Sequence, residues 1–171
     1  MTPVAPQLTT DRLILRQPQA SDLPAYTAYC AGLRSRFVGG PFDAPKAFDK
    51  FAAITGHWAL RGFGRYIMTL GDTPIGHVGP MQLDATEAPE LTWTLWDGAH
   101  EGHGYATEAA TRVRDHLFDD PGWPQLTVYI LPDNAGSRAI ADRIGATRSD
   151  APAPDWYADA LVYHLKAQGA A

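Results

Sequence analysis

A strand, a glycine-rich loop and a helix follow one another between residues 90 and 118. Residues 90–95 read ELTWTL, in which apolar and polar side chains alternate with the period that is typical of a strand. Glycines stand at positions 98, 102 and 104, and apolar residues then recur at helical spacing from Ala106 to Leu117. Glycines let backbone N–H groups converge on one point, and the start of a helix adds about half a positive charge there. The unit therefore predicts an anion site, most simply for a phosphate or a pyrophosphate.

Three interpretations of this loop stay open on the residues alone. It could be an ordinary strand-to-helix turn, because glycine is a usual residue of turns. It could be a dinucleotide-binding loop, although Thr107 occupies the third glycine position of G-x-G-x-x-G and the first glycine does not follow the strand directly. It could also hold the pyrophosphate of a cofactor that lies along the preceding strand.

The rest of the chain alternates between strand and helix patterns, which predicts a mixed α/β fold. Strands are expected at residues 8–17, 66–70, 75–83, 90–95, 125–131, 156–157 and 161–165. Helices are expected near residues 21–31, 45–61, 104–118 and 132–145. We expect one domain over residues 1–171, with residues 1–7 and 167–171 as loose tails.

Length and composition exclude several classes of protein. The chain has 171 residues, of which 45% are hydrophobic and 19% charged, as expected of a globular domain. No apolar run is long enough to span a membrane, and the N-terminus lacks the pattern of a signal peptide. The single cysteine, Cys30, fits a reducing cytoplasm, where we expect the protein to act. A net charge of −5 without a basic cluster argues against nucleic acid as a partner and favours a cationic acceptor.

Three stretches of the sequence resemble the GNAT family of acetyltransferases. Residues 102–109 read GHGYATEA and match the family's signature G-x-G-Y-A-T-E-A. Residues 8–16 read LTTDRLILR, which is similar to the opening strand L-x-T-x-R-L-x-L-R of the RimJ/RimL-like branch. Residues 134–137 read NAGS and are similar to the late N-x-x-S helix of that branch. The three stretches lie in the family's order and cover most of the chain from Leu8 to Leu165.

The resemblance implies a single domain with a mostly antiparallel central sheet, flanked by helices and splayed where acetyl-CoA binds. Pantetheine would take backbone groups of the central strand as if it were another strand, and the pyrophosphate would meet amides of the glycine loop. The cofactor-binding residues are then expected to be Trp93, Thr94, Leu95, Trp96, Gly102, His103, Gly104, Tyr105, Ala106 and Asn134. Asn134 could instead serve as a helix N-cap. The carboxylate of Glu101 would repel a pyrophosphate unless it points to solvent.

Direct transfer of an acetyl group needs a neutral amine, a stabilised oxyanion and a protonated leaving thiolate. By resemblance, Ser137 would assist the thiolate, because it matches the serine of the branch's N-x-x-S motif. Ala141 stands where many relatives use a tyrosine for this role. The alternative is a serine bonded to its own helix backbone. Glu90, at the start of the central strand, would accept the amine proton, and the alternative is an exposed strand-end glutamate. Phe37 and Phe42 would line the acceptor site or lie in an exposed connection.

The sequence and its resemblance predict a cytoplasmic, acetyl-CoA-dependent N-acetyltransferase. The acceptor is a primary amine, either a protein N-terminus or a small molecule, and the enzyme is expected to be a monomer or a homodimer. No metal is expected, since His100 and His103 are three apart in a glycine loop and not four apart on a helix, as in H-E-x-x-H. The alternative function is a non-catalytic module that binds or senses CoA on the same fold.

Overall fold

Eight strands form one sheet in the computed structural model, which describes residues 2–169. The strands are β1 (Gln7–Thr9), β2 (Ile14–Arg16), β3 (Tyr66–Leu70), β4 (Thr73–Met81), β5 (Glu90–Leu95), β6 (Gln125–Ile130), β7 (Thr147–Ser149) and β8 (Leu161–Lys166). The helices are α1 (Leu23–Ala31), α2 (Ala44–Arg61), α3 (Tyr105–Asp119) and α4 (Ala135–Arg143). The strand order is β1-β2-β3-β4-β5-β6-β8-β7, and every neighbouring pair is antiparallel except β5 and β6. This mixed α/β fold confirms the predicted fold class.

Two layers of helices cover the sheet, one on each face. α3 and α4 pack on one face through a core that contains Leu91, Val113 and Ile144. α1 and α2 form a second core around Tyr26 and other aromatic residues. Because successive side chains of a strand point to opposite faces, Glu90 lies on the face opposite Leu91, which is the face of α1 and α2. Within the described residues, no helix is both long and apolar enough to cross a membrane.

The first predicted strand is a hairpin of two short strands. The sequence predicts one strand over residues 8–17, but the chain turns after β1 and pairs with itself as β2. Thr10 closes this turn, since its N–H donates to Leu13 O at 3.0 Å and its Oγ1 accepts the Leu13 N–H at 2.9 Å. Apolar side chains on both sides of the turn produce the pattern of a single strand.

The N-terminal segment is not the loose arm that the sequence predicts. Val4 is buried in the larger core. The Ala5 N–H donates to His116 Nε2 at 2.9 Å, and the Tyr66 hydroxyl donates to Ala5 O at 2.7 Å. A segment without regular secondary structure can still pack when its apolar side chains reach a core. Two tails were expected, residues 1–7 and residues 167–171. Residue 1 of the first and residues 170–171 of the second lie outside the described residues.

The end of the chain also differs from the prediction. Residues 156–157 belong to a short 3-10 helix, Asp155–Tyr157, and not to a strand. The short strand β7 was not expected, and it pairs with β8 over three residue pairs. The aromatic pair Trp156 and Tyr157 has high strand propensity, but in this short helix Trp156 packs against Tyr129 and the Tyr157 hydroxyl donates to Phe37 O.

A buried ion pair fixes α1 to β2. Asp22, at the start of α1, is 1% exposed. Its carboxylate accepts hydrogen bonds from Arg16 Nη1 and Nη2, both at 2.8 Å, and from the Gln19 N–H, also at 2.8 Å. Bidentate geometry satisfies both carboxylate oxygens, which is what makes the burial of this charge tolerable.

Replacing Asp22 is therefore expected to destabilise the fold. Asp22→Asn keeps the side-chain shape but leaves Arg16 without its counter-charge, so the free energy of unfolding should fall by roughly 3 kcal/mol. Urea denaturation at pH 7 measures this change. Asp115→Asn is the control, because it removes the half-exposed pair with Arg114 and should cost less than about 1 kcal/mol. Equal losses in the two variants would contradict the structural role of Asp22.

Candidate active site

The parallel strands β5 and β6 meet at one end only. Their ladder consists of the single pair Glu90 and Thr127, next to which the Thr127 N–H donates to Pro89 O at 2.9 Å. By contrast, β5 pairs with β4 over six residue pairs and β6 pairs with β8 over six. The two strands therefore diverge toward their C-terminal ends and leave a gap in the middle of the sheet.

Backbone groups on one edge of β5 face this gap. The Trp96 N–H donates to Ile75 O at 2.9 Å, so Trp96 turns its backbone toward β4. Alternate residues of a strand turn their N–H and C=O groups to opposite neighbours, so Thr94 also faces β4, whereas Trp93 and Leu95 face the gap. Of the four residues expected to meet pantetheine through their backbone, the register makes two available and commits Thr94 and Trp96 to the β4 ladder.

Helix α3 begins directly after the glycine loop, without a side-chain cap. Gly104 is its N-cap residue, with φ +79°, and Gly102 also has a positive φ of 76°. This left-handed backbone conformation favours glycine, and it turns the loop into the helix. The amides at the start of α3, from Tyr105 and Ala106 onward, are therefore left for a ligand. The residues present fit a pyrophosphate group at this end of the gap.

Arg12, from the β1–β2 turn, packs against the start of α3. Its guanidinium pairs with Glu108 through Nη2 and Oε2 at 2.6 Å, and it lies 4.5 Å from the centre of the Tyr105 ring. Burial tends to raise the pKa of Glu108, but hydrogen bonds from Thr10 and Arg12 lower it. The carboxylate in the first turn of α3 is thus neutralised by a cation. The exposed His103 ring stacks on Tyr105 with the ring centres 5.5 Å apart.

Arg34 neutralises the other carboxylate near the loop. Its Nη2 lies 2.7 Å from Glu101 Oε1, and its Nε and Nη2 both donate to Leu95 O at 3.3 Å. The repulsion expected between Glu101 and a pyrophosphate is therefore offset by an ion pair. The same side chain ties the 3-10 helix Leu33–Val38 to the end of β5.

Ser137 lies across the gap from β5, at the start of α4. Its Oγ accepts a hydrogen bond from Trp93 Nε1 at 3.3 Å. Asn134 Oδ1 accepts the Ser137 N–H at 3.2 Å, so Asn134 is the N-cap of α4. Within residues 2–169, the Ser137 hydroxyl makes no hydrogen bond to its own helix backbone, and its proton is free to reach a ligand. Ala141 is fully buried in the core.

Glu90 is buried at the closed end of the gap. Its side chain is 8% exposed, and its Oε2 is buried without a hydrogen-bond partner in the described part of the chain. Burial raises the pKa of Glu90 to about 8, while the nearby charge of Arg65 acts in the opposite direction. Glu90 is therefore not the exposed strand-end residue of the alternative interpretation. A carboxyl with this pKa can hold or release a proton near neutral pH, as a general base must.

A cavity of about 540 Å³ opens beside Glu90. Its walls are the β4–β5 connection, Tyr129 of β6 and residues 152–156. Phe37 and Phe42, which the sequence places at the acceptor site, are not among its lining residues. The Phe37 carbonyl accepts a hydrogen bond from the Tyr157 hydroxyl at 2.9 Å, next to the cavity wall, whereas Phe42 packs against the core of α1 and α2.

Three arginines complete the site, and the sequence alone assigned a role to none of them. Arg12 lies inside the opening motif L-x-T-x-R, and this motif was the sequence signal that could have identified Arg12 as a site residue. Arg34 meets Glu101 only because the fold brings distant segments together, and no sequence pattern predicts that pair. Arg65 directly precedes β3, which β4 separates from β5, and its charge still acts on the buried Glu90.

Comparisons with known proteins agree with this geometry. A family profile described as acetyltransferase (GNAT) domain matches residues 12–147. The crystal structure of an acetyltransferase from Agrobacterium tumefaciens str. C58 is 40% identical, has a TM-score of 0.85, and covers 94% of this chain and 94% of that chain.

Two more distant structures show that the fold is shared. A putative ribosomal-protein-serine acetyltransferase from Vibrio cholerae is 24% identical, with a TM-score of 0.78, over 97% of this chain and 99% of that chain. RimJ from Mycobacterium smegmatis, solved in complex with CoA-disulfide, is 17% identical, with a TM-score of 0.73, over 98% of this chain and 91% of that chain.

The family match is the decisive comparison. No curated protein matches the sequence at a significant level. The acetyltransferase profile nevertheless covers well over half of the residues, and the Agrobacterium structure is similar over nearly the whole length. The chain therefore belongs to the GNAT acetyltransferase family and is an N-acetyltransferase that uses acetyl-CoA.

Proposed function

We propose that the enzyme transfers the acetyl group directly to a primary amine, with Glu90 as general base and Ser137 as hydrogen-bond donor to the leaving sulfur. The observation that carries this proposal is the buried carboxyl of Glu90, which has an oxygen without a partner and lines a cavity at the closed end of the gap. In the reaction, the amine nitrogen bonds to the acetyl carbon and the carbon–sulfur bond breaks. Two protons leave the nitrogen of the ammonium form. One passes to Glu90 and from there to solvent, and the other, lost as the amide forms, balances the proton that the departing sulfur takes up, through Ser137 or water, to leave as a thiol.

The gap and the start of α3 are proposed to hold the cosubstrate. Acetyl-CoA supplies an activated thioester when it is bound. Trp93 offers its backbone N–H and C=O to the pantetheine, and Leu95 offers its N–H, since its carbonyl accepts hydrogen bonds from Arg34. The amides from Gly102 to Ala106 face the pyrophosphate, where Arg12 offsets the charge of Glu108. The proposal needs no metal, and residues 2–169 contain no group of three or more His, Cys, Asp or Glu side chains that could hold one.

Glu90 prepares the amine for attack. An ammonium group cannot attack a thioester, and α-amino groups have a pKa near ~8. Since the pKa of Glu90 is also about 8, the carboxylate can take a proton from an α-amino group with little uphill cost near neutral pH. An alkylammonium group with a pKa near ~10.4 costs roughly 3 kcal/mol more to deprotonate. Arg65 stabilises the ionised form of Glu90. Burial is the main cause that raises the pKa values of Tyr129 and Tyr157, and the nearby charge of Glu90 raises both further.

Ser137 assists the departing sulfur from the other side of the gap. Its oxygen is already engaged by Trp93 Nε1, and accepting one hydrogen bond strengthens the hydroxyl as a donor. A hydroxyl is a far weaker acid than a thiol, whose pKa is near ~8.5. Ser137 therefore stabilises the thiolate by donating a hydrogen bond, or relays a proton from water.

We also propose that residues 1–171 act as one domain of the RimJ/RimL-like branch. The sheet runs continuously from Gln7 to Lys166, and the opening and late motifs resemble that branch. The Vibrio cholerae and Mycobacterium smegmatis proteins support the assignment through their fold. The acceptor is then a protein N-terminus or a small-molecule amine.

Acetyl-CoA is expected to raise the Tm of the wild type, and Gly104→Val is expected to abolish this rise. Gly104 has φ +79°, and a side chain there would enter the proposed phosphate site, next to Arg12. Ligand that binds only the folded state stabilises it by mass action, so thermal unfolding with and without acetyl-CoA measures binding. Gly62→Val is the matched control, because φ there is +75° at the end of α2, away from α3. An equal rise in all three proteins would reject the proposed site.

Ser137→Ala is expected to lower kcat by roughly ten- to a thousand-fold, the range for the loss of one donor or acid. The Km for acetyl-CoA should change little, since the hydroxyl acts on the sulfur as it leaves. Steady-state thiol release measures both constants. Ser137→Cys, which keeps a donor of similar size, should retain more activity than the alanine variant. If kcat of Ser137→Ala equals that of the wild type, Ser137 has only a structural role.

Glu90→Gln is expected to lower kcat/KM at pH 7 by roughly ten-fold or more, since the general base is lost. In the wild type, kcat/KM should rise with pH through about 8, as Glu90 ionises. The variant should lack this step and recover partly at higher pH, where more of the amine is neutral. A variant that matches the wild type from pH 6 to 9 would refute the role of Glu90.

The stability of Glu90→Gln as a function of pH tests the raised pKa of Glu90 separately from activity. The folded-state pKa of Glu90 is about 8, against an ordinary value of 4.5, so between these values the folded protein holds a proton that the unfolded chain has released. Wild-type stability should therefore fall as pH rises from about 4.5 to about 8, and this loss should be absent from Glu90→Gln. Thermal unfolding should give a higher Tm for the variant at pH 8 and no difference at pH 4. A variant that is less stable at pH 8 would contradict the raised pKa.

A further inference from the structure

The cavity beside Glu90 is lined by ionisable side chains of one charge sign. Its lining residues include four carboxylates and no lysine, arginine or histidine: Asp84, Glu87, Glu90 and Asp155. Arg65, whose charge acts on Glu90, is not a lining residue. A pocket of this kind favours a positively charged ligand over a neutral or anionic one.

Glu90 supplies an independent sign that a ligand binds here. It is more than nine-tenths buried, it lines the cavity, and its Oε2 has no hydrogen-bond partner within residues 2–169. Buried polar atoms are normally satisfied, because an unsatisfied one destabilises the fold. A donor group on a ligand at the inner end of the cavity would satisfy this oxygen.

The other three carboxylates form an exposed rim, made of Asp84, Glu87 and Asp155. In the described part of the chain, none of them takes part in an ion pair. Hydrogen bonds from the Thr86 backbone and side chain lower the pKa of Asp84, and the charge of Arg61 acts in the same direction, so this rim residue is ionised near neutral pH. The Arg61 guanidinium donates to the carbonyls of Gln82 and Leu83 and is not part of the cavity lining. The inner and outer ends of the cavity therefore differ: the inner end holds one buried carboxyl, and the outer end holds three exposed side-chain carboxyl groups.

The wall between these two ends is aromatic and apolar. Trp156 is 53% exposed, and its ring meets Tyr129 edge to face with the ring centres 5.7 Å apart. Met81, at the end of β4, and Leu83, in the β4–β5 connection, add aliphatic surface. Aromatic faces attract ammonium groups, and aliphatic walls suit a methylene chain.

We propose that the acceptor is a linear aliphatic diamine or polyamine, with its reacting amine at Glu90 and a second ammonium group at the rim of Asp84, Glu87 and Asp155. This inference rests on the proposed acetylation of a primary amine. A volume of about 540 Å³ is in the range of small-molecule sites. A peptide N-terminus fits less well, because the group that follows its amine is a neutral amide, which gains nothing from three carboxylates.

A matched pair of amines tests the inference. n-Pentylamine has as many heavy atoms as 1,4-diaminobutane but carries a methyl group in place of the second ammonium. We expect kcat/KM to be at least about ten-fold higher for the diamine, since each exposed ion pair contributes a few-fold and three act together. The preference should decrease with added sodium chloride, because salt screens exposed charges.

Charge-neutral variants test which residues are responsible. The triple variant Asp84→Asn, Glu87→Gln, Asp155→Asn should bring the ratio of kcat/KM for the two amines close to one. Asp72→Asn is the control, since Asp72 is an exposed carboxylate in the β3–β4 turn and does not line the cavity. It should leave the ratio unchanged.

Several outcomes would overturn the inference while amine acetylation still stands. They are equal kcat/KM for the two amines, an unchanged ratio in the triple variant, and a higher kcat/KM for a short peptide with a free N-terminus than for the diamine. If no thiol is released with any of these acceptors, the proposed function fails as well.

Discussion

The architecture of the site depends on the single residue pair that joins β5 to β6. Each strand is fully paired on its other side, so neither can shift to close the sheet. Backbone N–H and C=O groups on the gap side of β5 are left for another partner, and unpaired edges of this kind are rarely kept without a use. The divergence also sets three positions at once: a slot between the strands, the start of α3 at the open end, and Glu90 at the closed end.

Glu90 shows how a position in the sheet determines chemistry. A carboxyl at an ordinary strand end would be solvated and ionised, but here the strands converge and water is largely removed from it. Burial therefore raises the pKa of Glu90 to about 8, and Arg65 keeps the ionised form accessible. The unsatisfied Oε2 lowers the stability of the fold, and such local costs are typical of functional sites.

The sequence predicts best what is encoded locally. The strand–loop–helix unit of residues 90–118 follows from periodicity and turn chemistry, so the place proposed for the pyrophosphate could be predicted from local sequence alone. Which backbone groups of β5 face the gap could not be predicted. Whether Thr94 or Trp93 faces it depends on the register between β5 and β4, and a shift of one residue reverses the answer. The pair of Arg34 and Glu101 joins segments that are distant in the chain, and no local pattern encodes such a contact.

The distribution of ion pairs explains how an acidic protein can bind an anionic cosubstrate. With a net charge of −5, the chain as a whole repels phosphate groups. Near the start of α3, however, Glu101 and Glu108 are each neutralised by an arginine, so the helix dipole acts without an opposing charge. At the other end of the gap, the carboxylates around the cavity form no direct ion pair within the described residues, although the charges of Arg61 and Arg65 act on Asp84 and Glu90. The pairing of charges, and not their sum, therefore separates the end proposed to bind the anionic cosubstrate from the end proposed to bind a cation. A chain of the same composition with the arginines elsewhere would lose this separation.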